Sequence, residues 1–160
     1  MKAFEYLTPR TLDEALAILG REEDARLLAG GTDLLGEMKR GTATPKHLVN
    51  LKSIPELDGI RQEPDNTLFI GALTKLSDIA DHPAVAQHHV LLAQAAQQTA
   101  SPQIRNVGTL GGNLCQRPRC MYFRHPDFHC VRGNGKGCFA PAGQNRYHAI
   151  LEGRRCFMVH

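Results

Sequence analysis

Residues 105–113 read Arg105-Asn106-Val107-Gly108-Thr109-Leu110-Gly111-Gly112-Asn113, and a second glycine-rich stretch upstream reads Leu28-Ala29-Gly30-Gly31-Thr32-Asp33-Leu34-Leu35. Glycine lets the backbone approach a phosphate closely, and the helix after such a turn offers unpaired N–H groups and the positive end of its dipole. Two turns of this kind can hold the two phosphates of one dinucleotide through backbone N–H groups. The alternative, from the residues alone, is that each turn only joins two elements tightly.

The spacing of the glycines matches neither the Gly-x-Gly-x-x-Gly fingerprint of the Rossmann fold nor the Gly-Lys-Ser/Thr ending of a P-loop. Those two nucleotide-binding folds are therefore set aside. Thr109 and Asn113 add side-chain hydrogen-bond donors beside the downstream glycines, which is more chemistry than a packing turn needs.

The composition is that of an ordinary globular protein. The chain has 160 residues, 42% of them apolar, so it fits one compact domain or two small lobes that share an interface. A net charge of +3 with scattered arginines disfavours nucleic-acid binding. No apolar run approaches the about 18 residues of a membrane span, and the N-terminus does not resemble a secretory signal. We therefore expect a soluble protein made in the cytoplasm.

The hydrophobic pattern predicts an α+β protein. Thr11-Leu12-Asp13-Glu14 is a capping box that begins a helix ended by Gly20. We expect Leu91, Leu92, Ala95 and Ala96 to form the apolar face of a helix over 90–99. The remaining predicted elements are strands at 4–7, 25–29 and 47–51, a hairpin of 60–61 with 68–71, and short helices over 34–38, 74–80 and from 81. After Thr99 no regular structure is expected until 147–151.

The two glycine stretches together resemble the FAD-binding subunit of the molybdenum hydroxylases, the xanthine dehydrogenase and aldehyde oxidoreductase family. The resemblance implies a two-lobed PCMH-type FAD-binding domain, with a small βαβ-type lobe at 1–55 and a second lobe at 56–160. It also implies that the family's C-terminal domain is absent. The residues that it assigns to FAD are Leu28, Ala29, Gly30, Gly31, Thr32, Asp33, Leu34, Leu35, Thr109, Gly111, Gly112 and Asn113.

All five cysteines lie between residues 114 and 157. An odd number in a chain without a secretory signal favours metal binding over disulfides, although no pair has Cys-x-x-Cys spacing. The segment resembles an insertion in the flavin subunits of periplasmic aldehyde oxidoreductases that binds a 4Fe-4S cluster. The resemblance makes 114–157 an iron–sulfur loop and implies four ligands, Cys120, Cys130, Cys138 and Cys156. Cys115 is expected to be a buried packing residue, and His125, His129 and His148 to be solvated or hydrogen-bonded.

The function implied by the resemblance is electron transfer through FAD and the cluster, beside a 2Fe-2S subunit and a molybdopterin subunit. No catalytic residue is expected in this chain, because the flavin carries the redox chemistry. The final compartment is the cytoplasm or, by co-export with a signal-bearing partner, the periplasm. The alternative function is a truncated non-catalytic relative that serves as a zinc-binding or interaction module.

Overall fold

In a computed structural model of the chain, residues 1–133, 135–151, 153 and 155–158 are described. The chain divides into two compact units, neither of them continuous in sequence. The larger unit comprises Ala3–Gly36 and Pro45–Gln116, and the cysteine unit comprises Met1–Lys2, Glu37–Thr44 and Arg117–His160. The predicted lobe boundary at residue 55 stays a prediction. Among the described helices, none has the length and apolar character that crossing a membrane requires.

The first part of the larger unit is a parallel sheet with connecting helices. Strands β1 (Glu5–Leu7), β2 (Ala25–Leu28) and β3 (His47–Asn50) lie in the order β1-β3-β2. Helix α1 (Leu12–Arg21) follows β1, and helix α2 (Leu34–Arg40) follows β2, with its residues from Glu37 onward belonging to the cysteine unit. A parallel sheet needs such crossovers, so the predicted α+β class and βαβ arrangement are confirmed.

The N-terminal end of α1 is fixed by the predicted capping residue. The Thr11 hydroxyl accepts a hydrogen bond from the Glu14 N–H, and the Glu14 carboxylate accepts one from the Arg10 N–H. The helix then packs on the sheet through a core of four buried residues, Ala15, Ala25, Val49 and Ile54.

The second part of the larger unit is a hairpin packed on helices. Strands β4 (Ile60–Gln62) and β5 (Leu68–Ile70) pair in antiparallel fashion. They are followed by α3 (Leu76–Asp81), α4 (Pro83–His88) and α5 (Val90–Gln98). The hairpin side chains Ile60, Leu68 and Ile70 pack against a helical core of Ile79, Ala80, Val85, Ala93 and Ala96.

The predicted apolar face of α5 is wrong in part. Ala93 and Ala96 are buried, whereas Leu91 is 83% exposed and Ala95 is exposed as well. The sequence of α5 carries apolar residues on more than one face, so periodicity alone does not choose between them. Small alanines allow α5 to approach α3 closely.

Two further corrections concern the chain after Thr99. Short helices α6 (Pro102–Arg105) and α7 (Leu110–Leu114) form where no regular structure was expected. The hydroxyls of Ser101 and Thr109 cap their N-termini. Conversely, residues 147–151 form turns and bends, and not a strand.

Candidate functional site

The upstream glycine turn joins β2 to α2 in the larger unit, and its backbone conformation requires a glycine. Gly31 has φ +74°, in the left-handed region that L residues with side chains rarely adopt. A Cβ on Gly31 would also press on the side chains of Leu28 and Leu35. The turn is therefore specified by both backbone conformation and packing.

This turn leaves backbone donors unused. The N–H groups of Gly30, Gly31 and Thr32 have no hydrogen-bond partner among the described residues. The Leu35 N–H, in the first turn of α2, donates to the Gly31 carbonyl at 3.1 Å. Consecutive N–H groups without partners at a partly exposed turn are a natural site for an anion such as a phosphate.

The two glycine stretches touch each other. A Cβ on Gly30 would collide with the backbone carbonyl of Val107, which precedes Gly108 in the downstream stretch. Glycine at position 30 therefore allows the backbones of the two stretches to come into contact. The fold thus brings together two segments that are far apart in sequence.

The downstream turn differs from the upstream turn because the backbone N–H groups of residues 110–113 already have hydrogen-bond partners. Leu110 N–H donates to the Thr74 carbonyl at 2.9 Å, and Gly111 N–H donates to the Ala72 carbonyl at 2.8 Å. Gly112 N–H donates to the Thr109 hydroxyl at 3.2 Å, and the Asn113 N–H bonds the Thr109 carbonyl at 2.8 Å. These four N–H groups are therefore occupied within the fold, and phosphate binding by the second turn stays a prediction.

The downstream turn can still contact a ligand through its side chains. The Thr109 hydroxyl accepts the Gly112 N–H and keeps its own proton free to donate. Thr109 is 5% exposed, and Asn113 is half-buried. Gly111 has a packing role, since a Cβ there would stand 2.9 Å from the Ala72 carbonyl oxygen.

Lys52 lies beside the upstream turn, although the sequence did not draw attention to it. Its Nζ atom donates to the Ala29 carbonyl at 3.2 Å, and the side chain is otherwise exposed. The available signal was topological: Lys52 follows β3, and the carboxyl ends of neighbouring parallel strands meet at one sheet edge. The three unpaired N–H groups therefore have an ammonium group close by.

The predicted cluster ligands lie together in the cysteine unit. Cys120, Cys130, Cys138 and Cys156 all line one small cavity. Cys120 and Cys130 are buried, and the other two are half-buried. Aromatic and apolar side chains complete the wall, namely Tyr122, Phe123, Phe139, Phe157 and Met158.

Cys115 does not belong to this cavity. It caps the C-terminal end of α7 and is exposed, so the expectation that it is a buried packing residue is wrong. His125 and His129 are exposed and do not line the cavity, whereas His148 does.

Within the described part of the chain, no group of three or more His, Cys, Asp or Glu residues is arranged to hold a single metal ion. A single ion draws its ligands into one tight shell. A four-iron cluster binds one thiolate at each iron, so its four sulfurs stand around a larger space. Four cysteines on one cavity are the number and type of ligand that such a cluster takes.

A comparison with protein families identifies the larger part of the chain. Residues 2–120 match the family model described as "FAD binding domain in molybdopterin dehydrogenase". The match includes both glycine stretches and ends at the beginning of the cysteine unit's long segment.

Individual relatives differ in how far they match. The carbon monoxide dehydrogenase medium chain of Hydrogenophaga pseudoflava is 48% identical over 112 residues, 69% of this chain and 39% of the relative. The aldehyde oxidoreductase FAD-binding subunit PaoB of Escherichia coli K12 is 39% identical over 162 aligned residues, 100% of this chain and 51% of the relative. The chain therefore spans only about half, or less, of the length of these relatives.

Solved structures show the same fold. Carbon monoxide dehydrogenase from Hydrogenophaga pseudoflava, in a form that lacks the Mo-pyranopterin moiety of its cofactor, superposes with a TM-score of 0.68. The sequence identity is 47%, over 71% of this chain and 39% of the other. The two glycine stretches of this chain fall within a fold that the solved structure shares.

Proposed function

Because the chain belongs to the family of FAD-binding domains of molybdopterin dehydrogenases, we propose that its larger unit holds FAD with the pyrophosphate at the upstream glycine turn. The observation that supports this most directly is the set of unpaired N–H groups at Gly30, Gly31 and Thr32. In this proposal Leu28 to Leu35 form the binding segment around the phosphates. Thr109, Gly111, Gly112 and Asn113 form the neighbouring wall.

The chain's residues bind and orient the cofactor. When bound, FAD supplies the electron-accepting chemistry of its flavin ring. The N–H groups of the upstream turn bind phosphate oxygens, and the Lys52 ammonium offsets part of their negative charge. The Thr109 hydroxyl and the Asn113 amide donate or accept hydrogen bonds at the wall. Gly111 lets that wall pack against Ala72.

We propose that the cysteine unit holds a 4Fe-4S cluster through Cys120, Cys130, Cys138 and Cys156. The shared cavity supports this, and so does the extent of the alignments. The match to carbon monoxide dehydrogenase covers 112 residues, whereas the match to the aldehyde oxidoreductase subunit covers the whole chain, cysteines included. The cluster would cross-link a segment whose described residues form no α-helix or β-strand after α7.

The proposed place of the whole protein is a molybdenum-containing aldehyde oxidoreductase or xanthine dehydrogenase-type complex. In that complex the flavin subunit exchanges electrons with a 2Fe-2S subunit, which is linked to a molybdopterin subunit. We propose the cytoplasm as the compartment, with co-export to the periplasm as the alternative. The names of the relatives, which include medium chains and subunits, support an assembly of several chains.

The FAD site is tested by substituting two lysines that flank β3, one at each end of the strand. Lys52 lies at the carboxyl end of β3 beside the upstream turn, and Lys46 lies just before β3 and pairs with Asp24. We expect Lys52→Met to weaken FAD binding about tenfold, since losing a hydrogen bond to a charged group costs about 1.5 kcal/mol. Lys46→Met should leave affinity unchanged. The measurement is a fluorescence titration of FAD at low and high salt.

Equal affinity for wild type and Lys52→Met would place the pyrophosphate elsewhere. The difference in FAD affinity between wild type and Lys52→Met should also be smaller in high salt, because salt screens the exposed ammonium. An effect of the same size for Lys46→Met would show that general charge, and not the turn, is responsible.

The cluster is tested by anaerobic reconstitution of the full chain with iron and sulfide. The expected result is about four irons and four sulfides per chain, one iron for each cysteine thiolate. Cys120→Ser, Cys130→Ser, Cys138→Ser and Cys156→Ser should each lose the cluster or leave it incomplete. The matched control is Cys115→Ser, at the exposed cysteine outside the cavity, which should keep it. Stoichiometric zinc without sulfide, in protein from iron-replete cells, would instead favour the interaction module.

A further inference from the structure

One cavity-lining side chain of the cysteine unit has no part in the proposed ligand set. The His148 Nε2 atom lies 3.2 Å from the Cys120 Sγ atom, the only described polar contact of this ring. The ring's other nitrogen, Nδ1, is buried and has no hydrogen-bond partner among the described residues. A histidine with one nitrogen directed at a thiol and the other buried unpaired requires a physical explanation.

The backbone around His148 holds the ring in this place. The His148 N–H donates to the Asn145 carbonyl at 2.9 Å, and the next residue, Ala149, donates to the Phe157 carbonyl at 2.7 Å. The Tyr122 ring lies 6.3 Å from the imidazole between centroids, at 41°. These contacts direct the imidazole edge toward Cys120.

The two contacts of the ring favour one tautomer. With the proton on Nε2, the imidazole donates to sulfur and leaves only a bare lone pair on the buried Nδ1. With the proton on Nδ1, a buried N–H has no acceptor, and the Nε2 lone pair would face the lone pairs of a thiolate sulfur. An unsatisfied buried donor is costly, so the first arrangement is favoured.

We propose that His148 is a positioning residue that donates a hydrogen bond from Nε2 to the Cys120 thiolate and thereby raises the reduction potential of the cluster. The inference rests on the proposed 4Fe-4S site. A donor at a ligand sulfur withdraws negative charge from the cluster and favours the reduced state, because reduction adds an electron to it. A role in ligation is not needed, since four cysteines already supply one thiolate for each iron.

The test is an EPR-monitored redox titration of the reconstituted full chain. His148→Phe removes the donor while keeping a planar ring, and His148→Gln keeps an N–H donor at a similar reach. We expect His148→Phe to lower the equilibrium constant for reduction at least tenfold, about 59 mV for one electron. His148→Gln should stay close to wild type. The control His125→Phe changes a histidine of the same unit that does not line the cavity.

A second measurement uses the unaltered protein. In pulsed EPR of the reduced cluster, ¹⁵N-labelled histidine should show a weak hyperfine coupling from one nitrogen, and that coupling should be absent in His148→Gln. If His148→Phe does not assemble a cluster, His148→Met takes its place in the titration.

An unchanged potential in the variants that lack the donor overturns the inference, and so does a wild-type protein without the nitrogen coupling. A His148→Gln variant that shifts as far as His148→Phe also overturns it. A wild-type chain that takes up no iron and sulfide refutes the cluster proposal and this inference with it. A cluster that forms normally, with a reduction potential that does not depend on the His148 donor, refutes this inference but not the cluster proposal.

Discussion

At the scale of single residues, the two glycines of the upstream turn have different tasks. Gly31 provides a positive φ, and Gly30 allows the Val107 carbonyl of the other stretch to approach. The sequence predicted that this turn needs glycines, either to approach a phosphate or to join two elements tightly. The structure adds a packing reason that periodicity cannot reveal, because the contact partner is far away in sequence.

Gly30→Ala tests this packing role. We expect it to destabilise the larger unit by about 2 kcal/mol, because the added Cβ meets backbone and not a flexible side chain. The control is Gly20→Ala, where a Cβ meets no atom within 4 Å, in the last turn of α1. That change should stabilise the protein by up to about 1 kcal/mol, since alanine favours a helix. Urea unfolding measures both, and a Gly30→Ala midpoint equal to wild type would contradict the packing role.

At the scale of elements, local signals predicted well wherever one chain segment decides the outcome. The capping box at Thr11 predicted α1, and the hydrophobic pattern of 60–61 and 68–71 predicted the hairpin. Prediction failed for the buried face of α5 and for 147–151. Those outcomes depend on tertiary packing: Ala93 is buried in a core that it shares with residues of α3 and α4, and Ile150 stays 96% exposed despite its apolar side chain.

The caps of two helices give a matched pair of variants. Thr11 caps α1 and Thr109 caps α7, each through a hydroxyl that accepts a backbone N–H at 3.2 Å. Thr11→Ala and Thr109→Ala should each cost about 1 kcal/mol of stability. Only Thr109→Ala should also weaken FAD binding, because only that hydroxyl lies at the proposed site. Thr109→Ser should restore both properties, and equal FAD affinities for the two alanine variants would exclude a role for the Thr109 hydroxyl.

At the scale of the whole molecule, the sequence identified all four cysteines of one cavity, although only through the family resemblance. Their spacing, with nine, seven and seventeen residues between them, matches no short motif. Cavity formation depends on Tyr122, Phe139 and Phe157 packing around them, which the loop sequence does not encode as a period. The cluster assignment itself remains a proposal.

Limited proteolysis tests how much a cluster orders the cysteine unit. Arg119, Arg132 and Arg146 are exposed trypsin sites in that unit. Loading with iron and sulfide should slow cleavage at these sites severalfold, because the cluster cross-links the segment. Cleavage within residues 45–116 should not change. The control is Cys120→Ser treated in the same way, and equal cleavage rates with and without the cluster would show that the segment is ordered independently.

The cysteine unit combines segments that are far apart in sequence, and this determines when its contacts can form during synthesis. Glu37 is buried in that unit, and its carboxylate lies 3.4 Å from the Arg117 guanidinium, a partner 80 positions later in the chain. Residues 37–44 therefore emerge from the ribosome long before Arg117 is synthesised. The larger unit, in contrast, has been synthesised in full once Gln116 is added. Long-range contacts of this kind form late, since the intervening chain must close first. Flavin can thus be taken up by a nascent chain, while the proposed cluster has to wait until its last ligand, Cys156, has been synthesised.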